Sequence, residues 1–230
     1  MAMSEPTHIC SKHLLLSPLT DKVVIVTGAS SDIGRAIAVK YAKQGAKLTL
    51  CGLDEPGLQD TLDSCFHAIQ CSRKCPSCGS QFMTIDGNLN NREFRTVIIN
   101  ETLVHFKRLD ILVANAGECP DNMPFDSVTE KTYEEIMNTS AKALYFLIRK
   151  AKGKLIDSKG NIVVIADMVP PQSVSRSIPY SMSKAALDRM VMCLVDEFNE
   201  VDVRINAVYP EKIDTARFVV TYPSLAPLFD

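Results

Sequence analysis

Val23-Val24-Ile25-Val26 runs straight into Thr27-Gly28-Ala29-Ser30-Ser31-Asp32-Ile33-Gly34, and a helical pattern follows through Gln44. A β-branched run that passes through a glycine-bearing turn into a helix commits the chain to a strand–turn–helix unit. The alternation then continues. Strand-like runs at about 47–51, 81–85, 110–114, 161–166 and 203–208 are separated by helical segments beginning near 56 and covering about 91–106, 133–151 and 180–199. Strands this uniformly apolar are buried on both faces. Their strict alternation with helices predicts an α/β fold: a doubly wound parallel sheet with helices on both sides.

The 230 residues are 46% hydrophobic and 23% charged, which suits one large core, read here as a single domain over 20–230 behind an N-terminal extension at 1–19. A net charge of -2 gives no general attraction to nucleic acid or anionic membrane. The only apolar run in the first residues is Leu14-Leu15-Leu16, too short for a signal core, and no stretch approaches a membrane span. The expectation is a soluble, cytoplasmic chain. Eight cysteines do not signal a disulfide scaffold in a chain of this size, and Cys51 and Cys193, in apolar surroundings, are expected to be buried thiols.

Tyr180 and Lys184 stand four residues apart in Tyr-Ser-Met-Ser-Lys, a spacing that stacks phenol and ammonium on one helix face. An ammonium beside a phenol favours the phenolate and suits it to general acid/base work. With the turn at Gly28–Gly34, this pair resembles the short-chain dehydrogenase/reductase family over about 22–215. The resemblance implies a Rossmann-type domain, a nicotinamide cofactor, and a small-molecule carbonyl or alcohol substrate.

Under that resemblance Gly28, Ser30, Ser31, Asp32, Ile33 and Gly34 form the turn that receives the pyrophosphate at a helix N-terminus. Asp32 replaces the family's middle glycine and is expected to cap the helix and partly fill the anion site. At the end of the second strand, Gly52 removes the acid that selects NAD(H), so NADP(H) is preferred. Leu53 cannot hold the 2′-phosphate, and Arg35 is the cation within reach. Asn88 and Leu89 match the adenine-contacting segment, with Asn88 in place of an Asp. Asn115, Ala116 and Gly117 match the end of an Asn-Asn-Ala-Gly motif whose first Asn is Ala114 here. Pro210, Ile213 and Thr215 match a segment beside the nicotinamide, with Glu211 replacing a Gly.

The resemblance also assigns the reaction centre. Tyr180 is the acid/base, Lys184 holds the nicotinamide ribose and tunes Tyr180, and Asn138 anchors a water-linked proton relay. The family's remaining member, a Ser thirteen residues before the Tyr, is Asp167 here. An ionised Asp only accepts hydrogen bonds and opposes a developing oxyanion, whereas a protonated one can donate. Two readings follow: an NADP(H)-dependent oxidoreductase modified by Asp167, or a degenerate member that keeps the fold as a nucleotide-binding or interaction module. The family's C-terminal lid and last strand are expected to be missing. Its two long helices, here about 133–151 and 181–199, are expected to pair chains into a homodimer or homotetramer.

One insertion belongs to none of this. Cys65 and Cys71-x3-Cys75-Pro76-Ser77-Cys78-Gly79 fall between the second helix and the third strand. The Cys-Pro-Ser-Cys-Gly piece resembles a zinc knuckle. The reading taken is a plain cysteine-rich surface loop with no metal; the alternative is a tetrahedral zinc site closed by four thiolates.

Overall fold

The computed structural model of the chain describes residues 17–76, 78–117, 123–166 and 177–210. In chain order it holds β1 (Val23–Thr27), α1 (Asp32–Lys43), β2 (Lys47–Gly52), α2 (Glu55–Ala68), β3 (Phe82–Asp86), α3 (Arg92–Phe106) and β4 (Ile111–Ala114). There follow α4 (Glu130–Met137), α5 (Ala143–Ser158), β5 (Asn161–Ile165), α6 (Ile178–Asn199) and β6 (Arg204–Val208). All six strands are parallel, in the order β3-β2-β1-β4-β5-β6. The expected doubly wound sheet is what forms, with strand limits moved by a residue or so. The winding reverses between β3 and β4, which opens a crevice over the C-terminal ends of β1 and β4, where such sheets bind ligands.

Period-two alternation along each strand feeds two cores. Val24 and Val26 pack with Leu48, Leu50, Ala38, Ala42 and Leu58 under α1 and α2. Ile25 and Leu112 pack with Ile98, Leu144, Leu147 and Leu187 under α3, α5 and α6. Each fully buried aliphatic side chain contributes about 1.5–3 kcal/mol. These layers fix the sheet that carries the site.

Several expectations are corrected. The helix predicted over 133–151 runs from Glu130 to Ser158 and is broken in its middle by a π-helical turn at Asn138–Lys142. The cap of α1 is Ser31, whose hydroxyl accepts from Gly34 N at 3.1 Å, while Asp32 is the first helical residue and exposed. Cys51 is buried as expected, but Cys193 is exposed. The buried stripe of α6 passes through Leu187, Val191 and Phe198, and two residues past Val191 is about 200° round the helix. Among the described residues the sheet ends at β6, and no helix is long and apolar enough to cross a membrane.

At the N-terminal end of the sheet Asp110, with its side chain 3% exposed, joins β1 to β4. Its carboxylate accepts from Val23 N at 3.0 Å, Lys22 Nζ at 3.1 Å, and Arg108 Nε and Nη2 at 2.8 and 2.6 Å. Burial pushes the carboxyl upward, but the bonds from Arg108, Val23 and Lys22 outweigh it and hold Asp110 below the usual carboxylate range.

Candidate functional site

The site is built where β1 turns into α1. Gly28 has φ +63°, a conformation glycine takes without strain. A Cβ there would meet Asn115 Nδ2 at 2.9 Å and Ala116 Cα at 3.0 Å, and a Cβ on Gly34 would meet Gly28 O at 2.1 Å. The turn, the start of α1 and the end of β4 therefore touch through bare backbone. A helix N-terminus reached over such a surface suits a pyrophosphate, so the residues present fit a dinucleotide.

Thr27, which the sequence reading passed over, organises this junction. Its buried hydroxyl donates to Val113 O at 3.1 Å and accepts from Asn115 N and Ala116 N, each at 3.0 Å. The signal was present: a hydroxyl closing an otherwise aliphatic buried strand needs partners. Asn115 adds bonds from Nδ2 to Thr27 O at 3.0 Å, Gly28 O at 3.2 Å and Ser31 Oγ at 3.4 Å.

At the end of β2, Gly52 packs closely against the turn: a Cβ there would meet Ser30 Oγ at 3.0 Å. Leu53 is 68% exposed. Arg35 Nε donates to Thr61 Oγ1 at 3.2 Å, and Thr61 donates to Ala29 O at 2.8 Å, so α2 ties Arg35 to the glycine turn. Past β3, Asn88 is exposed and its Oδ1 accepts from Asn90 N at 2.8 Å. Leu89 turns its side chain into the core instead, and its carbonyl accepts from Arg95. Asn90 Nδ2 donates to Thr139 Oγ1 at 2.8 Å, which links this segment to the π-helical turn.

The structure brings Tyr180 and Lys184 together with the end of β4. Lys184 is 5% exposed, its Nζ donates to Ile165 O at 3.1 Å, and the ammonium lies 5.5 Å from the Tyr180 ring centroid. A Cβ on Gly117 would meet Lys184 Nζ at 3.3 Å and Ser140 Oγ at 3.6 Å. Thus β4, the π-helical turn and α6 meet beside Gly117. Asn138 opens that π turn and is half-buried, and Ser140 within it is buried. Ser140 carried no motif and was missed. Pro210 is half-buried just past Tyr209, whose hydroxyl contacts Asp188 Oδ1. Asp167, Ile213 and Thr215 lie outside the described residues.

The four cysteines weighed as a zinc alternative do not gather into one group. Cys65 is fully buried in the α2 core, its thiol pushed up to about 12 by burial, and it stands apart from the three sulfurs that cluster in the loop. Cys71 and Cys78 are joined as a disulfide, and the sulfurs of Cys71, Cys75 and Cys78 all lie within 4.8 Å of one another.

Known proteins match this architecture. The chain matches the short chain dehydrogenase family over residues 22–222. It is 35% identical over 210 residues to 11-beta-hydroxysteroid dehydrogenase-like 2 of Arabidopsis thaliana, covering 90% of this chain and 64% of that protein. It is 29% identical over 194 residues to L-fucose dehydrogenase of Oryctolagus cuniculus, covering 84% of this chain and 63% of that one. The chain thus spans less than two thirds of either relative. A short-chain dehydrogenase/reductase of unknown function from Caenorhabditis elegans, crystallised with cofactor, superposes with a TM-score of 0.80 at 27% identity, over 92% of this chain and 78% of the other. Glucose dehydrogenase of the same organism, in its apo form, gives a TM-score of 0.75 at 27% identity, over 92% and 83%. With the strand order, the glycine turn and the Tyr180–Lys184 pair, these matches establish that the chain belongs to the short-chain dehydrogenase/reductase family.

Proposed function

We propose that the chain is a cytoplasmic NADP(H)-dependent oxidoreductase that interconverts a carbonyl and a secondary alcohol. The observation that carries this reading is the buried Lys184 ammonium, held by Ile165 O and packed beside Gly117, one helical turn from Tyr180. In reduction Tyr180 gives its hydroxyl proton to the substrate oxygen, and in oxidation it takes that proton back. Lys184 stabilises the phenolate form, and Asn138 anchors the water through which the proton is exchanged. A nicotinamide held there would supply or accept the hydride. The turn at Gly28, Ser30, Ser31, Asp32, Ile33 and Gly34 would hold the pyrophosphate. Asn88, Leu89, Asn115, Ala116 and Gly117 would line the adenosine side, and Pro210, Ile213 and Thr215 the carboxamide. Gly52 and Arg35 favour the 2′-phosphate over a bare ribose, and Asp167 tempers the chemistry.

A second reading, a degenerate nucleotide-binding or interaction module, is favoured by one feature: Asp32 puts an exposed carboxylate on the first residue of α1, against the charge a pyrophosphate brings. Titration with NADPH and NADH, followed by nicotinamide fluorescence, separates the two. Tighter binding of NADPH, weakened selectively by Arg35→Ala, supports the first reading. No binding of either at millimolar concentration supports the second. With an accepted carbonyl substrate, Tyr180→Phe should lower turnover by about 10²–10⁴-fold while cofactor binding survives. Asp167→Ser should raise turnover, and no gain would remove Asp167 as the limiting group.

Pairing of chains through the long helices fits the apolar side chains exposed there, Tyr145 at 44%, Met192 at 59% and Val195 at 43%. A monomer in sedimentation at micromolar concentration would overturn that arrangement.

A further inference from the structure

The connection between α2 and β3 spans residues 69–81, where helix-to-strand connections usually need only about 2–6 residues. It is nonetheless tightly built. Arg73 reaches back to α2, with Nε to Asp63 Oδ1 at 2.8 Å and Nη1 to Gln59 Oε1 at 2.9 Å. Gly79 N donates to Cys75 O at 2.8 Å. A Cβ on Gly79 would collide with Arg73 O at 2.4 Å and Cys75 O at 2.7 Å, so only glycine closes the loop this way. Beyond it, Ser80 O bonds a ring nitrogen of His105 at 3.0 Å. The loop is folded around its cysteines and pinned at both ends.

Three sulfurs, those of Cys71, Cys75 and Cys78, lie within 4.8 Å of one another, and Cys78 is 1% exposed. A disulfide uses only two of them. The Cα atoms of Cys71 and Cys78 are 7.1 Å apart, wider than the roughly 4.4–6.8 Å usual for a disulfide. Thiolates at about 2.3 Å from a zinc ion sit about 3.8 Å from one another in a tetrahedron, a span inside the 4.8 Å that encloses the three sulfurs and open to Cys71 and Cys78 once their bond is reduced. The spacing Cys-x3-Cys-x2-Cys falls in the usual range for thiolate hooks.

We propose that, with its thiols reduced, this loop binds a zinc ion through Cys71, Cys75 and Cys78, with solvent at the fourth corner. The role is structural. The loop enters the N-terminal end of β3, opposite the cofactor crevice, and the ion supplies the local core that a polar loop of this length lacks. Thiolate ligation selects a soft ion over calcium or magnesium. The inference does not depend on the proposed oxidoreductase activity.

The test uses the full chain, reduced with a phosphine, freed of metal, and titrated with cobalt(II) and then zinc. The expected result is a thiolate-to-cobalt charge-transfer band that saturates near one equivalent, is displaced by zinc, and comes with a higher unfolding temperature in zinc. Cys75→Ser should weaken binding at least about tenfold, and Cys78→Ser is the second variant should the first fold poorly. Cys193→Ser, in an exposed residue of α6, should leave binding unchanged. No thiolate–cobalt band in the reduced chain overturns the site. A band that survives both Cys75→Ser and Cys78→Ser overturns it equally.

Discussion

The two ends of β1 and β4 use polar groups in opposite ways. At the N-terminal end a single carboxylate, Asp110, is met by two cations and a backbone amide, and all of its charge goes into holding Lys22, Val23 and Arg108 in place. At the C-terminal end the strands are joined by neutral groups, Thr27 and Asn115, bonding backbone. The buried charge there, Lys184, is turned toward Tyr180 and the crevice. One end is closed by its own counter-ions; the other gathers the residues to which the proposed function assigns cofactor and proton transfer. Stability and function should therefore separate along the same two strands.

The sharpest way to break that contrast is Asp110→Ala. It leaves Val23 N without its acceptor and two cations without their counter-ion. Removing one partner of a buried charge pair costs about 3–5 kcal/mol; because the Lys22 and Arg108 side chains are 42% and 46% exposed, roughly 2–4 kcal/mol is expected here. Urea unfolding should show that loss, while the folded fraction binds nicotinamide nucleotide as before. A matching loss of binding would mean that the two ends are not independent. The same site carries the acid limb of stability. Asp110 is held below its ordinary range, so its contribution is complete above about pH 4 and disappears as pH falls through the folded-state value. Asp110→Asn should flatten the fall in unfolding temperature below about pH 4, measured by circular dichroism.

Thr27→Val tests the other end, at a smaller cost. The isosteric change removes an acceptor from Asn115 N and Ala116 N and a donor to Val113 O. A loss of about 1–3 kcal/mol is expected. Unlike Asp110→Ala, it should also weaken nucleotide binding, because the backbone it releases forms the wall against Gly28. Unchanged binding would show that Asn115 alone fixes that wall.

The fold was legible because each strand is a short aliphatic run and each helix has its own period. The layering followed from Val23–Val26 and its successors without knowledge of any contact. The strand-end motifs were legible for the same reason, since glycine at 28, 34 and 117 has a backbone purpose that shows in sequence. What stayed hidden depends on geometry set by distant packing. No periodicity announces the π turn at Asn138–Lys142, which sets Ser140 against Gly117. Thr27 read as the first residue of the glycine turn, with nothing to show that its hydroxyl would hold the end of β4. Cys193 looked buried from its neighbours' hydropathy, although the phase of α6 turns it outward. Cys65 was grouped with the loop cysteines by proximity in sequence, whereas its place on the inner face of α2 takes it out of reach.

The smallest expected effect offers the cleanest control. Gly153 lies in α5, exposed, and a Cβ there would meet nothing within 4 Å. Glycine inside a helix costs about 0.5–1 kcal/mol relative to alanine, largely through the freedom of the unfolded chain. Its half of α5 runs down to Ser158, which bonds Leu109 O at 2.6 Å beside Asp110, so the gain falls at the end of the molecule assigned to stability. Gly153→Ala should therefore raise stability by about that amount in urea unfolding and leave nucleotide binding and any turnover unchanged. Combined with Asp110→Ala it should restore part of the loss additively, since the two sites share no partner. Combined with Thr27→Val it should restore stability but not binding, and rescue of binding would show that the site loosens only because the whole domain does.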